Sequence, residues 1–196
     1  MGHSYRKAIV GWTATARRVG IKHAMIADGE LLSLLEDSGE QILKLEREPT
    51  TQAIEKSIAI KARVVSADEK EESGERTMLN YGHTLAHAIE SATAYGRFLH
   101  GEAVAIGMMA AARISERLGL LTTDAVERQR SLLEAYRLPV KTEGIDRAGV
   151  EAAMALDKKV SGKSIRWVLL EGVGRPVLRD DLPAQVVQEA LAEVLG

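Results

Sequence analysis

Three histidines carry the chemical interest of this sequence. His83 and His87 lie four apart in LNYGHTLAHAIE (79–90), and His100 follows in LHGEAVAIGM (99–108). At helical spacing His83 and His87 share one face, a single turn apart. Such a pair can ligate one cation, as in zinc-binding helices of the H-E-x-x-H kind, although here no Glu follows the first His. His100 stands just before a helix opening with Gly101-Glu102, so it can turn inward from the helix entrance. Glu102 then has two readings: a charge complementing the N-terminal helix dipole, or a carboxylate ligand. Imidazole is a neutral zinc ligand, and a catalytic zinc keeps three protein ligands and one open position. The competing reading of each histidine is an ordinary surface or core residue.

Cations are spread along the same stretch. Lys61 is expected on the inner half of its helix, Arg76 precedes Asn80 by four residues, and Lys158 and Lys159 follow Asp157. Any one of them alone reads as a surface charge. Together they suit a polyanionic ligand, because Lys meets phosphate as a point charge and Arg as a fork. The residues by themselves therefore indicate a metal ion plus a phosphorylated or carboxylated small molecule.

The elements that must position these groups are mostly helical. Of 196 residues 45% are hydrophobic but only 4% aromatic, a balance that favours helices packed through small side chains over a β-sandwich. The pattern becomes regular from Asp28. GELLSLLEDSG reads as a helix stopped at Gly39, and EPTTQAIEKSIAIKARVVSAD as a long amphipathic helix with Ile54, Ile58 and Val65 on its apolar face. The charged run 68–76 reads as a solvated connection, and MLNYGHTLAHAIESA as one helix in which Gly82 is an unfavourable insertion. GEAVAIGMMAAARISERLG is a close-packing helix ending at Gly119; a Thr-started helix follows it. SIRWVLL, EGVG and RPVLR form a hairpin candidate, and Pro183 opens a last helix. The expected architecture is mainly α, a bundle of seven or eight helices with one small β-hairpin.

Net charge is −2, which argues against a nucleic-acid or anionic-membrane partner. No cysteine is present, excluding disulfides, thiolate zinc sites and Cys nucleophiles. No apolar run reaches the roughly 18 residues of a membrane span, and a cytoplasmic location is expected.

The blocks LNYGHTLAHAIE and LHGEAVAIGM resemble the signature of the 3-dehydroquinate synthases, members of the sugar-phosphate cyclases. IKHAMIADGELLSLLED, IKARVVSADEKEESGER and MALDKKVSGKSIRWVLLEGVG resemble three further blocks of that family, in the same order, over residues 21–196. The resemblance implies its C-terminal metal- and substrate-binding helical domain. It implies that His83 and His100 are the metal ligands and that His87 reaches the substrate instead. Lys22, Lys61, Arg76, Asn80 and either Lys158 or Lys159 match substrate-binding positions. The implied reaction is cyclisation of 3-deoxy-arabino-heptulosonate 7-phosphate to 3-dehydroquinate with loss of phosphate. Its implied cofactors are Zn²⁺ or Co²⁺, and NAD⁺ as a transient hydride acceptor.

Two departures qualify that expectation. No glycine-rich dinucleotide turn is found, so an N-terminal NAD-binding α/β domain is expected to be absent, and NAD⁺ to require a separate nucleotide-binding half. The family's third metal ligand, a Glu three residues before the lysine at position 22, is replaced by Val19, within an atypical segment 1–20. Apolar surface facing the missing half is expected to promote self-association, hence a homo-oligomer. The alternatives are a degenerate, non-catalytic helical module, or another sugar-phosphate cyclase of the superfamily.

Overall fold

The computed structural model describes residues 20–69, 74–161 and 164–196, with side chains described outside 157–161. Nine α-helices and one hairpin make up the described residues, against the seven or eight helices expected. Helix α1 covers residues 20–27, within the block IKHAMIADGELLSLLED and ahead of Asp28, from which the periodic pattern is regular. Then come α2 (Gly29–Asp37), α3 (Gly39–Leu43) and α4 (Arg47–Ala67). A short 3₁₀ turn (Arg76–Asn80) leads into α5 (His83–Ala92), α6 (His100–Arg117), α7 (Thr123–Ala135) and α8 (Arg147–Ser161). Strands β1 (Trp167–Leu170) and β2 (Pro176–Arg179) precede α9 (Ala184–Leu195). None of the described helices is long and apolar enough to cross a membrane.

Local chemistry explains most boundaries. The Asp28 carboxylate accepts from the N–H groups of Glu30 and Leu31, at 2.8 and 3.1 Å, and so caps α2. Thr122 Oγ1 caps α7 by accepting from Ala125 N–H. Gly119, at φ +70°, closes α6 as expected: its N–H donates to Glu116 O while Leu120 N–H donates to Ser115 O. Gly39, by contrast, does not stop a helix but begins α3. The strands pair antiparallel with Trp167 opposite Arg179 and Leu170 opposite Pro176, which places the hairpin where the sequence suggested.

The core is centred on α6, whose residues Ala103–Ala112 are buried all round. Small side chains permit this, because α5, α7, α9 and β1 can all approach its axis closely. Ser115 ties the hairpin to this helix: its hydroxyl donates to Ala111 O and accepts from Leu170 N–H at 3.1 Å. Helix α4 corrects the expected pattern. Its buried positions are Ala53, Ser57 and Ile60, whereas Ile54 and Ile58 are 37% and 63% exposed. The two faces differ by about one residue of helical phase, and with few large apolar side chains in the helix the periodicity alone could not separate them.

A candidate metal and substrate site at two helix starts

The segment 76–92 is broken where the sequence predicted one helix. The 3₁₀ turn ends at Asn80, Tyr81 is extended, and Gly82 adopts φ +83° before α5 starts at His83. Gly82 is therefore a break, and packing explains it. A Cβ on Gly107 of α6 would lie 1.9 Å from Gly82 O, and one on Gly82 would lie 2.7 Å from Val104 O. Backbone meets backbone here, possible only because both residues lack a side chain. The contact sets the first turn of α5 against α6 and fixes where His83 begins.

His83 and His100 are the first residues of α5 and α6. His87 lies one turn into α5. The ring centroids are 5.2 Å apart for His83 and His100, 5.6 Å for His83 and His87, and 6.2 Å for His87 and His100. All three imidazoles therefore form one cluster. A carbonyl only accepts, so His83 Nδ1, 3.3 Å from Tyr81 O, must carry its hydrogen. Likewise His100 Nδ1 lies 3.0 Å from Glu90 Oε1. With Nδ1 carrying the hydrogen, the lone pair of either ring in its neutral form is on Nε2. Zn–N bonds of about 2.0–2.1 Å at a tetrahedral angle place two ligand ring centres about 5 Å apart, the separation of the His83–His100 pair. His87 sits wider of both, and no anchoring bond to its Nδ1 is found among the described residues. The pair fits a divalent metal. Among the described residues no group of three His, Cys, Asp or Glu converges as a full ligand set, so the pair is an incomplete shell.

The electrostatics agree with that use. Burial pushes the His83 imidazole down to about 4; the Lys22 ammonium adds to the effect, the Tyr81 bond opposes it, and His100 and His87 add further. His83 is therefore neutral at pH 7 with its lone pair available. Lys22, half-buried on α1, is pushed down from 10.5 to about 8 by burial and then by the Lys61 ammonium. Lys61 itself is exposed, not on the inner side of α4 as expected. His23, which sequence reading passed over, is almost fully buried with Nδ1 unpartnered, and is held down to about 4 by burial and then by Lys22 and Lys61.

A cavity of about 460 Å³ opens beside the histidines, lined by Asn80, His83, Thr84, His87, Ser91 and Arg166 among others. Its volume falls within the range of small-molecule sites. Thr84 Oγ1 donates to Arg166 O at 2.9 Å, which joins α5 to the residues entering β1. Asn80, His83 and His87 thus meet in one cavity, while Lys22 acts electrostatically on His83 and is itself repelled by Lys61. Arg76 opens the 3₁₀ turn, where its N–H donates to the Asp68 carboxylate at 3.1 Å. Lys158 and Lys159 belong to α8, but their side chains, like Val19, lie outside the described residues. Glu102 resolves to its first reading: its carboxylate accepts from Leu99 N–H at 2.9 Å and caps α6.

Residues 20–160 match the family model of the 3-dehydroquinate synthase C-terminal domain. The chain belongs to this family. It is 41% identical over 176 residues to a 3-dehydroquinate synthase of Methylacidiphilum infernorum, covering 90% of this chain and 47% of that protein. A second, from Nitrosospira multiformis, is 42% identical over 173 residues, covering 88% and 47%. The chain thus spans about half the length of the curated relatives it matches. Among solved structures it resembles 2-epi-5-epi-valiolone synthase of Streptomyces hygroscopicus subsp. jinggangensis, a structure with NAD⁺ and Zn²⁺ bound. That match has a TM-score of 0.81 and 25% identity, over 94% of this chain and 53% of the other. A 2-deoxy-scyllo-inosose synthase in complex with carbaglucose-6-phosphate, NAD⁺ and Co²⁺ shares the fold at a TM-score of 0.71 and 24% identity, over 93% and 53%. The kinship expected from the histidine blocks, and the mainly α fold with its hairpin, both hold.

Proposed function

We propose that this chain is the metal- and substrate-binding part of a 3-dehydroquinate synthase. In this reading it acts with a nucleotide-binding half in the cyclisation of 3-deoxy-arabino-heptulosonate 7-phosphate to 3-dehydroquinate. The observation that carries the proposal is the His83–His100 pair, 5.2 Å between ring centroids, with both Nδ1 atoms tied back and no partner for either Nε2 among the described residues. These two residues would hold Zn²⁺ or Co²⁺. When bound, the metal supplies Lewis acidity toward a substrate hydroxyl, and NAD⁺ supplies a reversible hydride acceptor.

The remaining work falls to the chain's own side chains. Lys22, Lys61, Arg76 and one of Lys158 or Lys159 bind the carboxylate and phosphate of the substrate, holding it in register for reaction. Asn80, at the cavity edge, offers its amide to ring hydroxyls. His87 faces the same cavity without a part in the ligand pair, and can hold or pass a proton at its free ring nitrogen. Lys22, titrating near pH 8, gains from an anionic neighbour that offsets the repulsion of Lys61. Association also belongs to this reading, either with a second half or between copies, and the exposed Ile54 and Ile58 on α4 support it.

Calorimetric titration with Zn²⁺, then with a phosphonate analogue of the substrate, tests the proposal. Binding heat that disappears in His100→Ala is the expected result. No heat with the unaltered protein would leave a helical module without catalytic function. The choice of substrate within the sugar-phosphate cyclases is tested by a substrate panel with the nucleotide-binding half supplied.

A further inference from the structure

Glu90 occupies a position that apolar packing alone would give to an alanine or leucine. It follows buried Leu85, Ala86, Ala88 and Ile89 on α5, and its side chain is only 9% exposed. A carboxylate taken from water costs several kcal/mol unless it is paired. Among the described residues, the one polar side chain that meets it is His100, at 3.0 Å from Nδ1 to Oε1. His100 is itself 56% exposed and can turn freely toward solvent but for this bond. The pair thus joins a buried anchor on α5 to a surface ring on α6, across the interface that the Gly82–Gly107 contact holds closed.

We infer that Glu90 is a positioning residue for the metal: it fixes His100 in the Nδ1–H tautomer and turns its Nε2 toward His83. This inference rests on the proposed metal role of the His83–His100 pair. It also identifies an asymmetry between the two ligands. His83 is anchored by a neutral backbone carbonyl, whereas His100 is anchored by a carboxylate, which makes its Nε2 the more basic donor. Glu90 further places a carboxyl group beside His100, whereas the ammonium that acts on His83, Lys22, is of the wrong sign for a cation.

The test uses the whole chain and Co²⁺ as probe, with ligand-field absorption and calorimetry as readouts, neither of which depends on turnover. Replacing such an anchoring partner typically weakens metal binding 10- to 100-fold. Glu90→Ala is expected to show a loss in that range and a changed Co²⁺ spectrum. Glu90→Gln, whose amide oxygen still accepts from Nδ1–H, is expected to recover to within about tenfold of the parent. Long-range ¹H–¹⁵N correlation of the metal-free parent protein provides a second measurement that needs no variant to fold, and His100 is expected as Nδ1–H. Finding His100 as Nε2–H overturns the inference. So does Glu90→Ala binding Co²⁺ as the parent does while His100→Ala does not, which leaves the metal reading standing. If neither His83→Ala nor His100→Ala alters Co²⁺ binding, the metal reading falls and this inference falls with it.

Discussion

Lys22→Met should make the protein more stable at neutral pH, and the gain should vanish in alkali. The Lys22 ammonium is half-buried on α1 with Lys61 nearby, and burial followed by that repulsion lowers it from 10.5 to about 8. At 1.36 kcal/mol for each tenfold change, that depression corresponds to about 3 kcal/mol of unfavourable charge burial in the folded state. Lys22 retains some contact with water, so about 2 kcal/mol is the working figure. Because the folded state holds this proton less tightly than the unfolded chain, the cost is fully present below about pH 8. It is relieved as pH rises from about 8 toward 10.5, where the unfolded chain also gives up its proton. For a chain of 196 residues, 2 kcal/mol corresponds to about 4–8 °C in Tm. Thermal melts of parent and variant, taken from pH 6 to about pH 10.5 in chelator-treated buffer free of phosphate, give the difference directly, and shared titrations cancel. A variant no more stable than the parent at pH 7, or a gain unchanged across the series, would refute the burial argument. The same substitution should weaken binding of a phosphonate substrate analogue, since the position would then trade stability for ligand binding.

Two other substitutions probe the scaffold. Gly107→Ala places a methyl group 1.9 Å from Gly82 O, and because a backbone oxygen cannot rotate away, α5 and α6 must separate; urea unfolding should show a loss of about 3 kcal/mol or more, and a loss under about 1 kcal/mol would contradict the contact. Tyr81→Phe removes the hydroxyl that donates to Gln129 Oε1 at 2.8 Å and leaves that oxygen buried without its donor, so a loss of about 1–3 kcal/mol is expected, and melting at the parent's temperature would count against it.

What could be read from the sequence divides along physical lines. His83, His87 and His100 were legible as one site because two are a helical turn apart and the third opens the next helix, and all three rings do meet. The hairpin was legible because Trp167–Leu170 and Pro176–Arg179 flank a glycine-containing turn. Gly82 was legible only as an anomaly: its cause is Gly107, twenty-five positions away, and no local pattern encodes that approach. Glu90 was missed because a Glu in a helix reads as a solvated charge; the signal available was its place among Leu85, Ala86, Ala88 and Ile89. Lys61 was placed on the wrong side for the same reason as Ile54 and Ile58. In a helix whose inward residues include Ala53 and Ser57, apolar side chains do not mark the buried face.

That His83 and His100 are both opening residues of their helices has a consequence for how the molecule responds to heat. Helix ends melt before helix middles, and α6 is anchored by its interior, from Ala103 onward. The two rings therefore stand where unravelling starts, and warming should dissolve their alignment while the bundle behind them is still intact. An ion held by the proposed pair would act as a rivet between the two helix starts. On that proposal, loss of the ion rather than collapse of the core would be the first thermal event.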